Sequence, residues 1–140
     1  PEYDLKRVDL SRVSCLIAED NIINQKVALH MLAKLGLSAD VAVNGLEVLR
    51  ALESKPYDLI FMDVAMPEMD GFEASRTIRN LPQGDGIYII ALTAHSLDGD
   101  MEKCLASGMD DYISKPIRID ALASSLKNFF TFELLIFPIK

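Results

Sequence analysis

The stretch "LIFMDVAMPEMDG", Leu59 to Gly71, decides how this chain of 140 residues folds. Leu59 to Met62 form a continuous apolar run of the kind that buries a strand on both faces of a sheet. The run ends on a carboxylate, Asp63, and Pro67 and Gly71 follow within the next eight residues. An acid at the carboxyl end of a central strand stands where open α/β sheets present their functional groups.

Outward from this segment the chain alternates regularly. Strands are expected at Val13 to Glu19 ("VSCLIAE"), Ser38 to Val43 ("SADVAV"), Asp58 to Asp63, Tyr88 to Thr93 ("YIIALT") and Asp111 to Ser114 ("DYIS"). Between them, Val27, Met31 and Leu35 recur at helical spacing from Asn24 to a stop at Gly36, a natural C-terminal cap. Further helices are expected from Gly45, from Phe72, from Asp98 to a stop at Gly108, and from Ile119. Five strand–helix pairs in strict alternation require a parallel sheet, because parallel strands need crossover connections and the helices then cover both faces. The second strand alternates polar and apolar residues and reads as an edge. The expected architecture is a doubly wound, five-stranded parallel α/β sheet of order 2-1-3-4-5.

Bulk properties narrow the chemistry. A chain of 140 residues, half of them hydrophobic, forms one domain with an ordinary packed core. The net charge of -7 argues against nucleic acid or an anionic membrane as a direct partner and favours a cation or a basic protein surface. Cys15 and Cys104 have no metal-ligand spacing and are too few for a disulfide framework, which points to a reducing, cytoplasmic setting. The opening "PEYDLKRVDLSR" lacks the apolar region of a secretory signal, and no run of about 20 apolar residues is present to span a bilayer. No direct membrane contact is therefore expected, although a parent protein could be membrane-anchored.

The polar residues at the strand ends converge in this topology. Glu19 and Asp20 end the first strand, Asp63 the third, Thr93 the fourth, and Ser114 and Lys115 the fifth. Three carboxylates in one pocket repel each other by several kcal/mol, and Lys115 can neutralise only one of them. A hard divalent ion such as Mg2+ offsets the rest with few protein ligands.

At this point "AEDN" (18–21), "FMDVAMPEMDG" (61–71), "ALTA" (91–94) and "YISKPI" (112–117) together resemble the response-regulator receiver domains of two-component phosphorelays. The resemblance covers about residues 13 to 129 and is nearest to receivers of hybrid histidine kinases; it implies a flavodoxin-like (βα)5 fold. It implies that Asp63 is the phosphoacceptor, taking a phosphoryl group from a phosphohistidine. It further implies that Glu19, Asp20, Asp63 and the backbone carbonyl of Ala65 hold Mg2+, with Mn2+ as the alternative ion. Thr93 and the amide of Ala94 would hold phosphoryl oxygens, Lys115 would pair with phosphorylated Asp63, and Thr93 with Tyr112 would form the switch. A cis Lys115–Pro116 bond is expected on the same ground.

The implied partner is a histidine-containing phosphotransfer domain or a histidine kinase, with Ile22 and Ile23 as exposed docking contacts beside Asp63. Self-phosphorylation and slow autodephosphorylation would accompany this signalling role, and His95 would modulate hydrolysis. A single-domain regulator is the alternative to a piece of a hybrid kinase. A Mg2+-dependent phosphatase with an aspartate nucleophile is a reading from a different class, but it needs an acid two residues after the nucleophile, where this chain has Ala65. Residues 1–12 are read as linker, 13–130 as the receiver, and 131–140 as an apolar tail. "FFTFELLIFPIK" (129–140) carries four of the six Phe residues, and the C-terminal region could extend the last helix or support a homodimer.

Overall fold

Continuous burial along three central apolar strands organises the molecule. The computed structural model describes residues 10–94 and 98–136. Its elements are β1 (Cys15–Ala18), α1 (Ile22–Lys34), β2 (Asp40–Ala42), α2 (Gly45–Ser54), β3 (Leu59–Asp63), α3 (Gly71–Arg79), β4 (Tyr88–Thr93), α4 (Asp98–Ala106), β5 (Asp111–Ser114) and α5 (Ile119–Ile136). All the strands pair in parallel in the order β2-β1-β3-β4-β5, the expected topology. Register places Ala18 against Met62, Asp63 against Leu92 and Thr93 against Ser114, so the polar strand ends finish side by side.

Successive side chains of the central strands point to opposite faces, which gives two core layers. Ile17, Phe61 and Ile90 pack beneath α1 and α5 with Leu32, Leu126 and Phe129. Leu16, Ile60 and Ile89 pack on the other face with Val48 of α2 and Ile78 of α3. Each fully buried aliphatic side chain contributes about 1.5–3 kcal/mol, so β1, β3 and β4 form a rigid frame for whatever stands at their ends.

Several boundaries differ from the sequence reading, each for a local reason. β1 begins at Cys15 because the Ser14 amide turns to the Asp58 carboxylate (2.8 Å) and its hydroxyl donates to the Pro56 carbonyl (3.0 Å). α1 starts at Ile22 rather than Asn24, because Asn21 is its N-cap and accepts from the Asn24 amide at 3.0 Å. Gly36 ends that helix in the left-handed region at φ 92°, with Leu37 donating to the Leu32 carbonyl at 2.9 Å. Leu10, inside the segment read as linker, sits in a short 3-10 turn and is buried in the core layer shared with Leu37 and Phe130.

α5 runs without a break through position 131, where the apolar tail was set apart. The side chains of 132–136 and all of 137–140 lie outside the described residues, as does His95. No helix among the described residues is long and apolar enough to cross a membrane.

Candidate active site at the carboxyl edge

The end of β3 is held by its own loop. Asp63 is 4% exposed, and its Oδ1 accepts from the Ala65 amide at 3.1 Å. The loop then turns back: the Gly71 amide donates to the Val64 carbonyl at 3.2 Å, which starts α3 beside the strand it left. A Cβ on Gly71 would lie 2.3 Å from the Asp63 carbonyl oxygen, so this position has no room for a side chain. The glycine of the opening stretch is thus dictated by the backbone of the acid eight residues before it.

Lys115 reaches Asp63 from β5. Its Nζ donates to Asp63 Oδ2 at 2.6 Å and to Glu19 Oε1 at 2.8 Å. The Lys115 amide donates to the Thr93 carbonyl at 2.7 Å, which couples the exit of β5 to the end of β4. The Lys115–Pro116 peptide is cis, as expected. Glu19, 1% exposed, uses Oε2 to accept from the Asn21 amide at 3.1 Å, and its carbonyl accepts from the Gln25 side chain at 2.7 Å. Two carboxylates therefore share one ammonium in a buried setting.

Asp20 is exposed at the mouth. One carboxylate oxygen from each of Glu19, Asp20 and Asp63 lies within 4.8 Å of the others. At that spacing each like-charge pair repels by roughly 3–4 kcal/mol at an effective dielectric of about 20. Three hard oxygen donors close together, with a single ammonium bonded to two of the acids, match what Mg2+ selects in a protein.

The titration behaviour follows from this crowding. Burial raises the Asp63 carboxyl above the ordinary aspartate range and the Glu19 charge adds to the rise, while Lys115 and the Ala65 amide oppose it without cancelling it. At Glu19 burial acts in the same upward direction, but the bonds from Lys115 and the Asn21 amide outweigh it and the net shift is down. Burial lowers Lys115, yet its hydrogen bonds to the two carboxylates carry it above the usual lysine range. The ammonium stays charged, while Asp63 shifts up and Glu19 shifts down from their ordinary values.

These groups open into a cleft of ≈ 430 Å³ that also includes Ala65, Thr93 and Ala94. Thr93 is buried at the end of β4, and Ala94 is exposed just beyond it. Seven of the residues singled out in the sequence thus surround one cavity: Glu19, Asp20, Asp63, Ala65, Thr93, Ala94 and Lys115. Tyr112 stands apart, half-buried on β5 opposite Ala91, within the layer on the α2/α3 side. Ile22 and Ile23 open α1 and are 63% and 67% exposed, beside the cleft rather than in it. Phe72, Asp100 and Lys103 also line the cleft, and the sequence reading had not singled them out.

Residues 15–127 match the response regulator receiver domain family. The chain belongs to that family. The receiver is 47% identical over 122 residues to "Hybrid signal transduction histidine kinase K" of Dictyostelium discoideum, covering 82% of this chain and 10% of the kinase. It is 46% identical over 114 residues to "Hybrid signal transduction protein dokA" of the same organism, covering 81% of this chain and 7% of that protein. The chain therefore spans a tenth or less of the length of either relative.

Among solved structures, the receiver superimposes on the receiver domain of a sensor histidine kinase from Pseudomonas aeruginosa PAO1, which has a magnesium ion coordinated in its active site cleft. The TM-score is 0.78 at 39% identity, over 85% of this chain and 98% of that one. A second match is the receiver domain of a Saccharomyces cerevisiae response regulator, co-crystallised with its histidine phosphotransfer signalling protein. That match has a TM-score of 0.81 at 32% identity, over 90% of this chain and 94% of the other.

Proposed function

We propose that this receiver takes a phosphoryl group from a phosphohistidine onto Asp63 in a Mg2+-dependent phosphorelay, as part of a hybrid histidine kinase. One observation carries this reading: a buried carboxylate at the end of β3, fixed between the Ala65 amide and the Lys115 ammonium, with the Glu19 and Asp20 carboxylates at its side. Glu19, Asp20, Asp63 and the Ala65 carbonyl would hold Mg2+, or Mn2+ in its place. When bound, the ion supplies positive charge to the phosphoryl oxygens and offsets the crowded acids.

A carboxylate oxygen of Asp63 attacks phosphorus, the P–O bond forms as the P–N bond to histidine breaks, and the electron pair leaves on the imidazole nitrogen. As a carboxylate, Asp63 needs no base to act as a nucleophile. Charge on the equatorial oxygens is stabilised by Lys115, by the Thr93 hydroxyl and by the Ala94 amide, all already on the cleft wall. The same residues support phosphorylation from small donors and slow hydrolysis of the product.

The added negative charge and acceptor oxygens favour a state in which Thr93 and Tyr112 shift together. Ile22 and Ile23 are the contacts for a histidine-containing phosphotransfer domain or histidine kinase. Their exposure at the start of a helix bordering the cleft suits helix-on-helix docking.

The test is intact mass measurement after incubation with acetyl phosphate and Mg2+. The wild type gains one phosphate, and Asp63→Asn or removal of Mg2+ gains none. An equal adduct in Asp63→Asn removes the assignment.

A further inference from the structure

One cation on the cleft wall has no part in the chemistry described above. Lys103 stands in the last turn of α4, and its Nζ lies over the Phe72 ring at 5.3 Å from the centroid. Phe72 is the second residue of α3 and lines the cleft together with Lys103 and Asp100. The aromatic face holds the ammonium at the wall of the cleft that Glu19 and Asp20 also line, by a contact that a ligand anion can outcompete.

Charge accounting shows why a second cation matters here. Four carboxylates line the cleft, Glu19, Asp20, Asp63 and Asp100, against two lysines. Lys115 is bound to two of those acids. The ion pairs among the described residues do not engage Lys103. Its flexible stem carries a compact, hydrated charge that can follow an entering ligand.

We infer that Lys103 recruits doubly charged acyl phosphates into the cleft, acting as a positioning residue for the donor rather than on the reacting atoms. With Mg2+ bound the lining charges only balance, so a phosphate dianion entering the cleft still gains from a well-placed cation at its wall, which raises the local donor concentration. Monoanionic donors gain less from the same cation. The inference rests on the phosphoacceptor reading of Asp63.

The experiment measures the rate of Asp63 phosphorylation against donor concentration, at saturating Mg2+, in the wild type, Lys103→Met and Lys103→Arg. Acetyl phosphate serves as the dianionic donor and phosphoramidate as the donor of lower charge. Lys103→Met raises the acetyl phosphate concentration for half-maximal rate by about threefold to tenfold at low salt, with the maximal rate unchanged. Lys103→Arg restores the wild-type value, phosphoramidate is affected less, and the difference fades as ionic strength rises.

An unchanged acetyl phosphate profile in Lys103→Met overturns the inference, as does an equal loss for both donors or a loss confined to the maximal rate. Mg2+ affinity, read separately by calorimetry, holds or rises when the cation is removed. A fall would assign Lys103 to the shape of the cleft and would also overturn its role toward the donor. An adduct absent from the wild type itself counts against Asp63 as acceptor, whereas an adduct formed alike in wild type and Lys103→Met counts against Lys103 alone.

Discussion

Two cations serve the two ends of the same strand in different ways. At the carboxyl end of β4, Lys115 divides one ammonium between Glu19 and Asp63, with Asp20 close by and no second cation bound to the three acids among the described residues. At the amino end, Arg79 is matched donor by donor. Its Nε donates to the Gly108 carbonyl at 2.8 Å, Nη1 to the carbonyls of Gly84 (2.5 Å) and Ile87 (2.7 Å), and Nη2 to the Asp110 carboxylate at 2.7 Å. The Asp110 Oδ2 also accepts from the Ile89 amide at 2.8 Å. A guanidinium whose fork is filled by backbone and one carboxylate ties α3, the start of β4 and the α4–β5 turn together. The carboxyl end has too little positive charge for its acids and suits a ligand; the amino end is electrostatically closed and suits a clamp.

The contrast breaks most visibly at the clamp. Arg79→Met removes a donor from three carbonyls and the cation from the Asp110 carboxylate, which keeps the Ile89 amide, and the expected loss of stability is about 3 kcal/mol in urea unfolding. A loss below about 1 kcal/mol would place Arg79 with ordinary surface residues and end the comparison.

The cleft responds in the opposite direction. Asp63→Asn removes one of three crowded negative charges while leaving Lys115 paired with Glu19, so without Mg2+ at neutral pH the variant gains about 1–2 kcal/mol. Its pH dependence has a definite sign. The folded carboxyl of Asp63 titrates above its unfolded counterpart, so the folded state binds the proton more tightly and stability falls as pH rises between the two values. The advantage of Asp63→Asn is therefore full above the folded Asp63 value and vanishes below the unfolded one. A constant difference between variant and wild type down to strongly acidic pH would show that buried charge is not its source.

Mg2+ gives the smallest shift and sharpens the comparison further. At about threefold over its dissociation constant the ion stabilises the wild type by about 0.8 kcal/mol. The gain is smaller in Asp63→Asn and unaltered in Arg79→Met once that variant's own loss is subtracted. Thermal unfolding with and without Mg2+ reads all three chains, and an equal gain in Asp63→Asn would move the ion away from Asp63.

The sequence made the carboxyl edge legible because its residues follow strands whose order is set by strict alternation. Glu19, Asp63, Thr93 and Lys115 each stand at or just past the end of a strand, so topology alone converges them. The clamp was not legible, because Arg79 draws its partners from Gly84, Ile87, Gly108 and Asp110, whose approach depends on how two turns pack. Lys103 and Phe72 escaped for a similar reason: they lie on different helices, and only the packing of α4 against α3 brings a lysine over a ring. The start of α1 was readable in principle, since Asn21 is a favoured cap residue. The attraction of Val27, Met31 and Leu35 as a helical stripe moved the expected start inward.

Gly71 carries one more consequence. It has no side chain to bind an ion, move a proton or touch a phosphoryl group, yet a single added methyl would press on the carbonyl of Asp63, the proposed phosphoacceptor. In a mutational scan scored by phosphorylation, the profile at Gly71 would look like that of a ligand, intolerant even of alanine. Sensitivity at that position would report the path of the loop, which makes it a test of where the backbone runs and no guide to which atoms react.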